Sequence, residues 1–189
     1  MNSLNKYEKV RDLMKTGDVI AFQGNDACAK AIQVGTKSKY SHVGLVVRIK
    51  DLAIDRVFIA ESIVTAGVVL VPLSRKLEGC SGCAWFFPLK MDISKLPEYV
   101  DENTIRKFFY EWTMSELGKK YDFKLIGAII RQILARQKIS KEDQQEYICS
   151  EFVATAYKKA GILPKKLSTS LTPKDICDLT VLGAPIGLR

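Results

Sequence analysis

The sequence predicts an α+β protein, an antiparallel sheet with helices segregated around it. Two observations carry that expectation. Between residues 41 and 89, short segments dense in Val, Ile, Leu and Phe follow one another and read as a β meander. From Asp101 onward the apolar residues change period and recur at i, i+3, i+4 and i+7, the spacing of amphipathic helices. No internal repeat and no Pro/Gly/Ser-rich linker interrupts the chain, so residues 1–189 are expected to form a single domain.

Taken in order, residues 4–14 read as a helix, Thr16-Gly17-Asp18 as a turn and Val19-Ile20-Ala21-Phe22 as a short strand. Asp26 to Val34 reads as a helical turn or two. The strands of the meander are expected at Ser41–Ile49, Asp55–Glu61, Gly67–Leu73 and about Ala84–Leu89. Ile105, Phe108, Phe109 and Trp112 mark one helix. Leu125, Ile126, Ile129, Ile130, Ile133 and Leu134 mark another after Asp122 as a possible N-cap. A strong helix is expected from about Cys149 to Ala160, with Gly161 and then Pro164 as stop signals. Thr172-Pro173-Lys174-Asp175 combines an N-cap, a proline at N1 and an acid at N3, and opens a short final helix.

Composition narrows the class. With 189 residues, 47% hydrophobic and 26% charged, the chain is long and apolar enough to bury a core, which excludes a disordered or collagen-like protein. The net charge of +8 is spread along the chain, and no run reaches five like charges. That pattern favours a solvated surface over a nucleic-acid-binding arm. The N-terminus lacks an apolar signal segment, and the uncharged stretch Ser62–Ser74 is too short to span a bilayer. These features lead to the expectation of a cytoplasmic protein without a transmembrane segment. Five cysteines cannot all pair within one chain, so free thiols are expected and one of them is open to chemistry.

The chain has one histidine, His42, and any histidine-dependent mechanism has to use it. If segments 41–49 and 55–61 form a hairpin centred on Lys50-Asp51-Leu52-Ala53, His42 stands opposite Glu61 and Arg48 opposite Asp55. Val46 then faces Val57, Leu45 faces Phe58 and Ile49 faces Ile54. A carboxylate there can engage one imidazole nitrogen and leave the other free, the arrangement that orients a catalytic base; it can equally be an ion pair that ties the hairpin. Cys149 opens a helix, where unpaired backbone N–H groups stabilise a thiolate and can donate to an oxyanion. Without a base nearby, the same cysteine is an inert core residue.

Gly17-Asp18-Val19-Ile20-Ala21-Phe22, Tyr40-Ser41-His42-Val43-Gly44-Leu45-Val46-Val47, Glu61, Gly67-Val68, Tyr121-Asp122, Cys149-Ser150-Glu151-Phe152-Val153 and Thr172-Pro173-Lys174-Asp175 occur in a telling order. The ordered set resembles the permuted papain-like amidases of the YaeF/YiiX type, relatives of the NlpC cell-wall peptidases and of lecithin retinol acyltransferase. The likeness runs from about Thr16 to about Asp178. It implies a circularly permuted papain-like (NlpC-like) fold, a sheet or small barrel packed on helices, with a core over about 16–178. Carried over by position, Cys149 is the nucleophile, His42 the general base, Glu61 the residue that orients it, and Tyr40 a candidate oxyanion or substrate contact. Ser62-Ile63, where the family has a small apolar residue, and an extended stretch around Ala128–Gln145 depart from the pattern.

These residues lead to the expectation of a cysteine hydrolase that cleaves an amide or isopeptide bond. The substrate would be a peptide or acyl-amide, including peptidoglycan-derived or lipid molecules. A lipid acyltransferase or thioesterase on the same residues, and a non-catalytic module with the same pocket, are the alternatives. No cofactor and no metal are expected. Cys80-Ser81-Gly82-Cys83 has the spacing of half a zinc site, with only Cys28 and Cys177 to complete it, and reads as a turn with two free thiols. Asp122 and Asp175 read as helix caps.

Overall fold

The computed structural model describes residues 5–63, 66–92, 100–119, 148–167 and 171–189. The expected helix with Asp122 at its start, and the stretch Ala128–Gln145, lie outside the described residues. Helix α1 (Asn5–Val10) runs through a 3-10 turn, Arg11–Leu13, into strand β1 (Val19–Gln23). Helix α2 (Ala27–Thr36) and strands β2 (His42–Lys50), β3 (Asp55–Ile63) and β4 (Gly67–Pro72) follow. Next come helix α3 (Leu73–Gly79), strand β5 (Cys83–Phe87) and the long helix α4 (Glu102–Glu116). Helices α5 (Ile148–Lys159) and α6 (Pro173–Cys177) and strand β6 (Ile186–Gly187) complete the described residues.

The strands form one antiparallel sheet in the order β4-β3-β2-β1-β5-β6. β2, β3 and β4 are the expected meander, but β1 lies between β2 and β5. Its uninterrupted apolar run explains the place. Val19 and Ala21 enter one core layer and Ile20 and Phe22 the other, so the strand is buried on both faces.

Side-chain caps set several helix starts. The carboxylates of Asp26 and Asp101 accept from the N–H groups of Ala29 (2.9 Å) and Thr104 (2.7 Å), opening α2 and α4. Thr172 and Asp175 form the reciprocal capping box of α6. Gly161, at φ 75°, ends α5 in the left-handed region as expected. α2 is a full ten-residue helix, longer than the turn or two expected. Leu73, expected as the end of a strand, instead starts helix α3, whose Leu73 and Leu77 are buried four apart.

The hairpin register differs from the expected one by two residues. Val46 pairs with Ile59 and Arg48 with Val57, and the turn closes with Asp51 N–H donating to Ile54 C=O at 2.8 Å. The loop therefore takes Ile54 in place of Lys50. An even shift leaves every side chain on its predicted face, because strand side chains alternate with period two. Arg48 consequently still reaches Asp55, now a diagonal neighbour, through two bonds of 2.9 and 2.8 Å.

On one face of the sheet α4 and α5 pack through Phe109, Trp112, Phe152 and Tyr157, with Trp112 stacked on Phe152 at 5.1 Å. The other face is closed by α1 and α3. Burying each such side chain contributes roughly 1.5–3 kcal/mol. A polar bolt crosses the helical layer. Arg106 of α4 donates to the Asp18 carboxylate at 2.7 Å and to the carbonyls of Thr16 and Leu89, and the Tyr157 hydroxyl donates to Gly17 C=O at 2.7 Å. Gly17 sits at φ 96° under the Phe109 ring, where a Cβ would stand 2.5 Å from a ring carbon. Among the described residues no helix is long and apolar enough to cross a membrane.

Burial raises the pKa of Asp18 against the opposing pull of Arg106, so this pair specifies geometry more than it adds stability. Arg106→Leu is expected to cost roughly 3–5 kcal/mol in urea unfolding, by leaving a buried carboxylate without its counter-charge. Adding Asp18→Asn, which removes that charge, should recover a large part of the loss. Equal costs for the single and the double variant would contradict this account.

Candidate active site

The site is built where β2 begins. The Ser41 hydroxyl accepts from Gly24 N–H at 2.9 Å and donates to Phe22 C=O, which ties the end of β1 to the start of β2. His42, the first residue of β2, is thereby held at the sheet margin with its ring 5.9 Å from that of Phe22. In the observed register Glu61 is a diagonal neighbour of His42, not the opposed residue that was expected. The pairing survives because both side chains share a face. His42 Nε2 lies 2.5 Å from Glu61 Oε2, and both residues are buried, 7% and 3% exposed.

The remaining oxygen of Glu61 has a partner that sequence reasoning missed. Lys76 of α3 donates from Nζ to Oε1 at 2.8 Å. Lys76 belongs to the charge that the sequence spreads thinly along the chain. The signal that could have found it is the i, i+4 pair Leu73 and Leu77, which marks the buried face of a helix on which Lys76 neighbours Leu73 at i+3.

Cys149 is the second residue of α5 and is fully buried. α5 packs against β2 and β3, and the Val43 N–H donates to the Cys149 sulfur at 3.4 Å. Val43 and Cys149 belong to the helical core layer, whereas Phe22, Ile59 and the leucines of α3 belong to the opposite layer. The imidazole is thus addressed from both sides of the sheet, by the Glu61 carboxylate from one and by the Cys149 thiol from the other. His42 Nδ1 is buried and makes no hydrogen bond of ordinary geometry, so the thiol contact is looser than the carboxylate contact. Such looseness is common in sites without substrate.

Electrostatics follow from this placement. Burial alone would lower the pKa of His42, but thiolate charge and a hydrogen bond at Cys149, followed by the Glu61 carboxylate, outweigh it and raise the value to about 10. Burial alone would raise the pKa of Glu61. His42 and then Lys76 outweigh it and bring the value down to about 2. These are the shifts of a buried cation–anion array.

Tyr40 belongs to the same core layer as Cys149. Its ring meets Trp85 and Phe87 edge-on, at 5.3 and 5.6 Å, and burial, with the charges of Cys177 and Asp178, pushes its hydroxyl up to about 12. A cavity of 540 Å³ opens on the Glu61 side, lined by Phe22, Ser41, His42, Glu61, Arg75 and Lys76 among others; Cys149 is not part of its wall. Cys80, Cys83 and Cys177 carry free thiols. Among the described residues no group of three or more His, Cys, Asp or Glu side chains is placed to hold a metal ion.

Over residues 13–176 the chain matches the family described as permuted papain-like amidase enzyme, YaeF/YiiX, C92 family. The crystal structure of the metalloprotein YiiX from Escherichia coli O157:H7 has the same fold, with a TM-score of 0.58 at 20% identity over 91% of this chain and 96% of that one. No curated protein matches the chain.

The single imidazole gives one histidine signal to follow by NMR. Cys149→Ala is expected to lower the His42 pKa from about 10 by the largest step, and Glu61→Gln by a smaller one. The sign for stability is fixed. The charge-dependent contribution of His42 is fully present below its ordinary value of 6.5 and is lost as pH rises through about 10. That of Glu61 is present above 4.5 and is lost as pH falls through about 2. An imidazole that titrates near 6.5 in both variants and in the wild type would contradict the array.

Proposed function

The chain belongs to the permuted papain-like amidases of the YaeF/YiiX, C92 family, and from that premise we propose that it is a cysteine hydrolase acting through Cys149, His42 and Glu61 on an amide or isopeptide bond. One observation carries the assignment of roles. The only imidazole of the chain is held by a carboxylate at 2.5 Å on Nε2, its other nitrogen is buried without a hydrogen-bond partner among the described residues, and the Cys149 thiol near the start of α5 acts on the ring.

His42 takes the proton of Cys149, and the thiolate adds to the substrate carbonyl. Negative charge develops on the carbonyl oxygen, where the backbone N–H of Cys149, at the start of α5, is suited to donate. The imidazolium returns its proton to the leaving amine as the tetrahedral species collapses to a thioester. Neutral His42 then withdraws a proton from water, which attacks the thioester and releases the acid and the free thiol. Glu61 stays ionised throughout, fixing the ring and compensating the imidazolium. Tyr40, in the core layer of the nucleophile, is the candidate substrate contact on that side. The substrate class is a peptide or other acyl-amide, peptidoglycan-derived and lipid amides included.

Labelling with an electrophilic thiol probe across pH, followed by peptide mapping, tests this directly. Cys149 is expected to react near pH 6.5 faster than Cys83, although Cys83 is exposed and Cys149 is buried. His42→Ala should suppress that reaction and lower amide hydrolysis by about 10²–10⁴-fold, and Cys149→Ala should abolish hydrolysis. Labelling of Cys149 that is slower than that of Cys83, or indifferent to His42, would sink the assignment.

A further inference from the structure

We propose that Lys76 is a positioning residue of the site, which holds the Glu61 carboxylate in place and limits how strongly that carboxylate retains the imidazolium of His42. This deepens the hydrolase reading and rests on it for its catalytic meaning, but its geometry stands independently.

The carboxylate of Glu61 is 4% exposed and has a cation on each oxygen, His42 at 2.5 Å on Oε2 and Lys76 at 2.8 Å on Oε1. Without Lys76, Oε1 would be a buried acceptor lacking its charged partner, and the carboxylate would be free to turn about its broad terminal torsion. Lys76 is itself held. Leu73 and Leu77 anchor α3 beneath it, and its ammonium lies 5.6 Å from the centre of the Phe22 ring, the ring that also meets His42. Its side chain is 32% exposed and lines the same cavity as Glu61.

The charge sign gives Lys76 its effect. An anion that interacts with a single buried cation holds that cation charged over the widest pH range. A second cation on the same anion opposes the first through space. The reaction needs His42 charged to protonate the leaving amine and neutral to activate water, so a carboxylate acting alone would slow the second half. The other groups around the imidazole do not substitute for Lys76. Cys149 of α5 adds negative charge when ionised, and Asp26 is engaged as the N-cap of α2. Arg75 lines the same cavity but makes no ion pair among the described residues.

The test is the NMR titration of His42 in the intact chain, which needs no turnover and therefore stands whether or not an amide substrate is found. Lys76→Met is expected to raise the His42 pKa by roughly one pH unit. Lys76→Gln, which keeps a donor but removes the charge, should do the same. Lys76→Arg should return the value to that of the wild type. In hydrolysis the two uncharged variants should shift the alkaline limb upward and lower kcat more than kcat/KM, because thioester release requires neutral His42. Urea midpoints and circular dichroism would identify a variant that fails to fold, and the remaining one then carries the test. A His42 pKa that stays put or falls in a folded, uncharged variant overturns the proposal.

Discussion

Everything at the end of this sheet depends on one buried carboxylate. Glu61 sits in a nearly solvent-free place where an uncompensated charge would cost several kcal/mol. It remains charged because His42 and Lys76 each take one of its oxygens. Those contacts in turn constrain three elements: the first residue of β2, the end of β3, and α3. With Nε2 committed to Glu61, Nδ1 of the imidazole is the ring nitrogen left without a hydrogen-bond partner among the described residues. The ring is oriented by a charge requirement rather than by shape alone.

The sulfur needs equally firm placement, and the helical layer supplies it. α5 is pinned at its C-terminal half, where the Tyr157 hydroxyl donates to Gly17 C=O and the ring packs on Phe109 at 5.4 Å. Gly17 is in turn fixed next to Asp18, which Arg106 of α4 engages. Tyr157 follows Cys149 by eight residues, close to two helical turns, so locking one sets the height of the other. The bolt around Asp18 and the array around Glu61 therefore register the two halves of the site from opposite faces of one sheet. β1, buried on both sides, is the common reference for both.

Much of this was readable before folding, and its limits are instructive. The strands followed from runs of branched apolar residues, and the cap at Thr172 and the stop at Gly161 followed from local hydrogen-bonding and backbone rules. These are short-range effects that a sequence carries in plain view. The hairpin register was not among them. Arg48 and Asp55, taken as directly opposed, are diagonal, because a long arginine reaches its partner from either position and the charge pattern cannot tell the two apart. The parity of the pairing was legible because it depends on which face is apolar.

The sequence by itself determined the α+β class and the faces of the strands, and it offers a single histidine. The class and the faces rest on periodicity, a property of neighbours along the chain. Only the tertiary structure decided that β1 would be central, that residues 73–79 would be a helix, and that Lys76 would close on Glu61. A lysine on a short helix carries no local mark of its partner. Its role arises only when folding buries a carboxylate beside it and withdraws the water that would otherwise have done the same work.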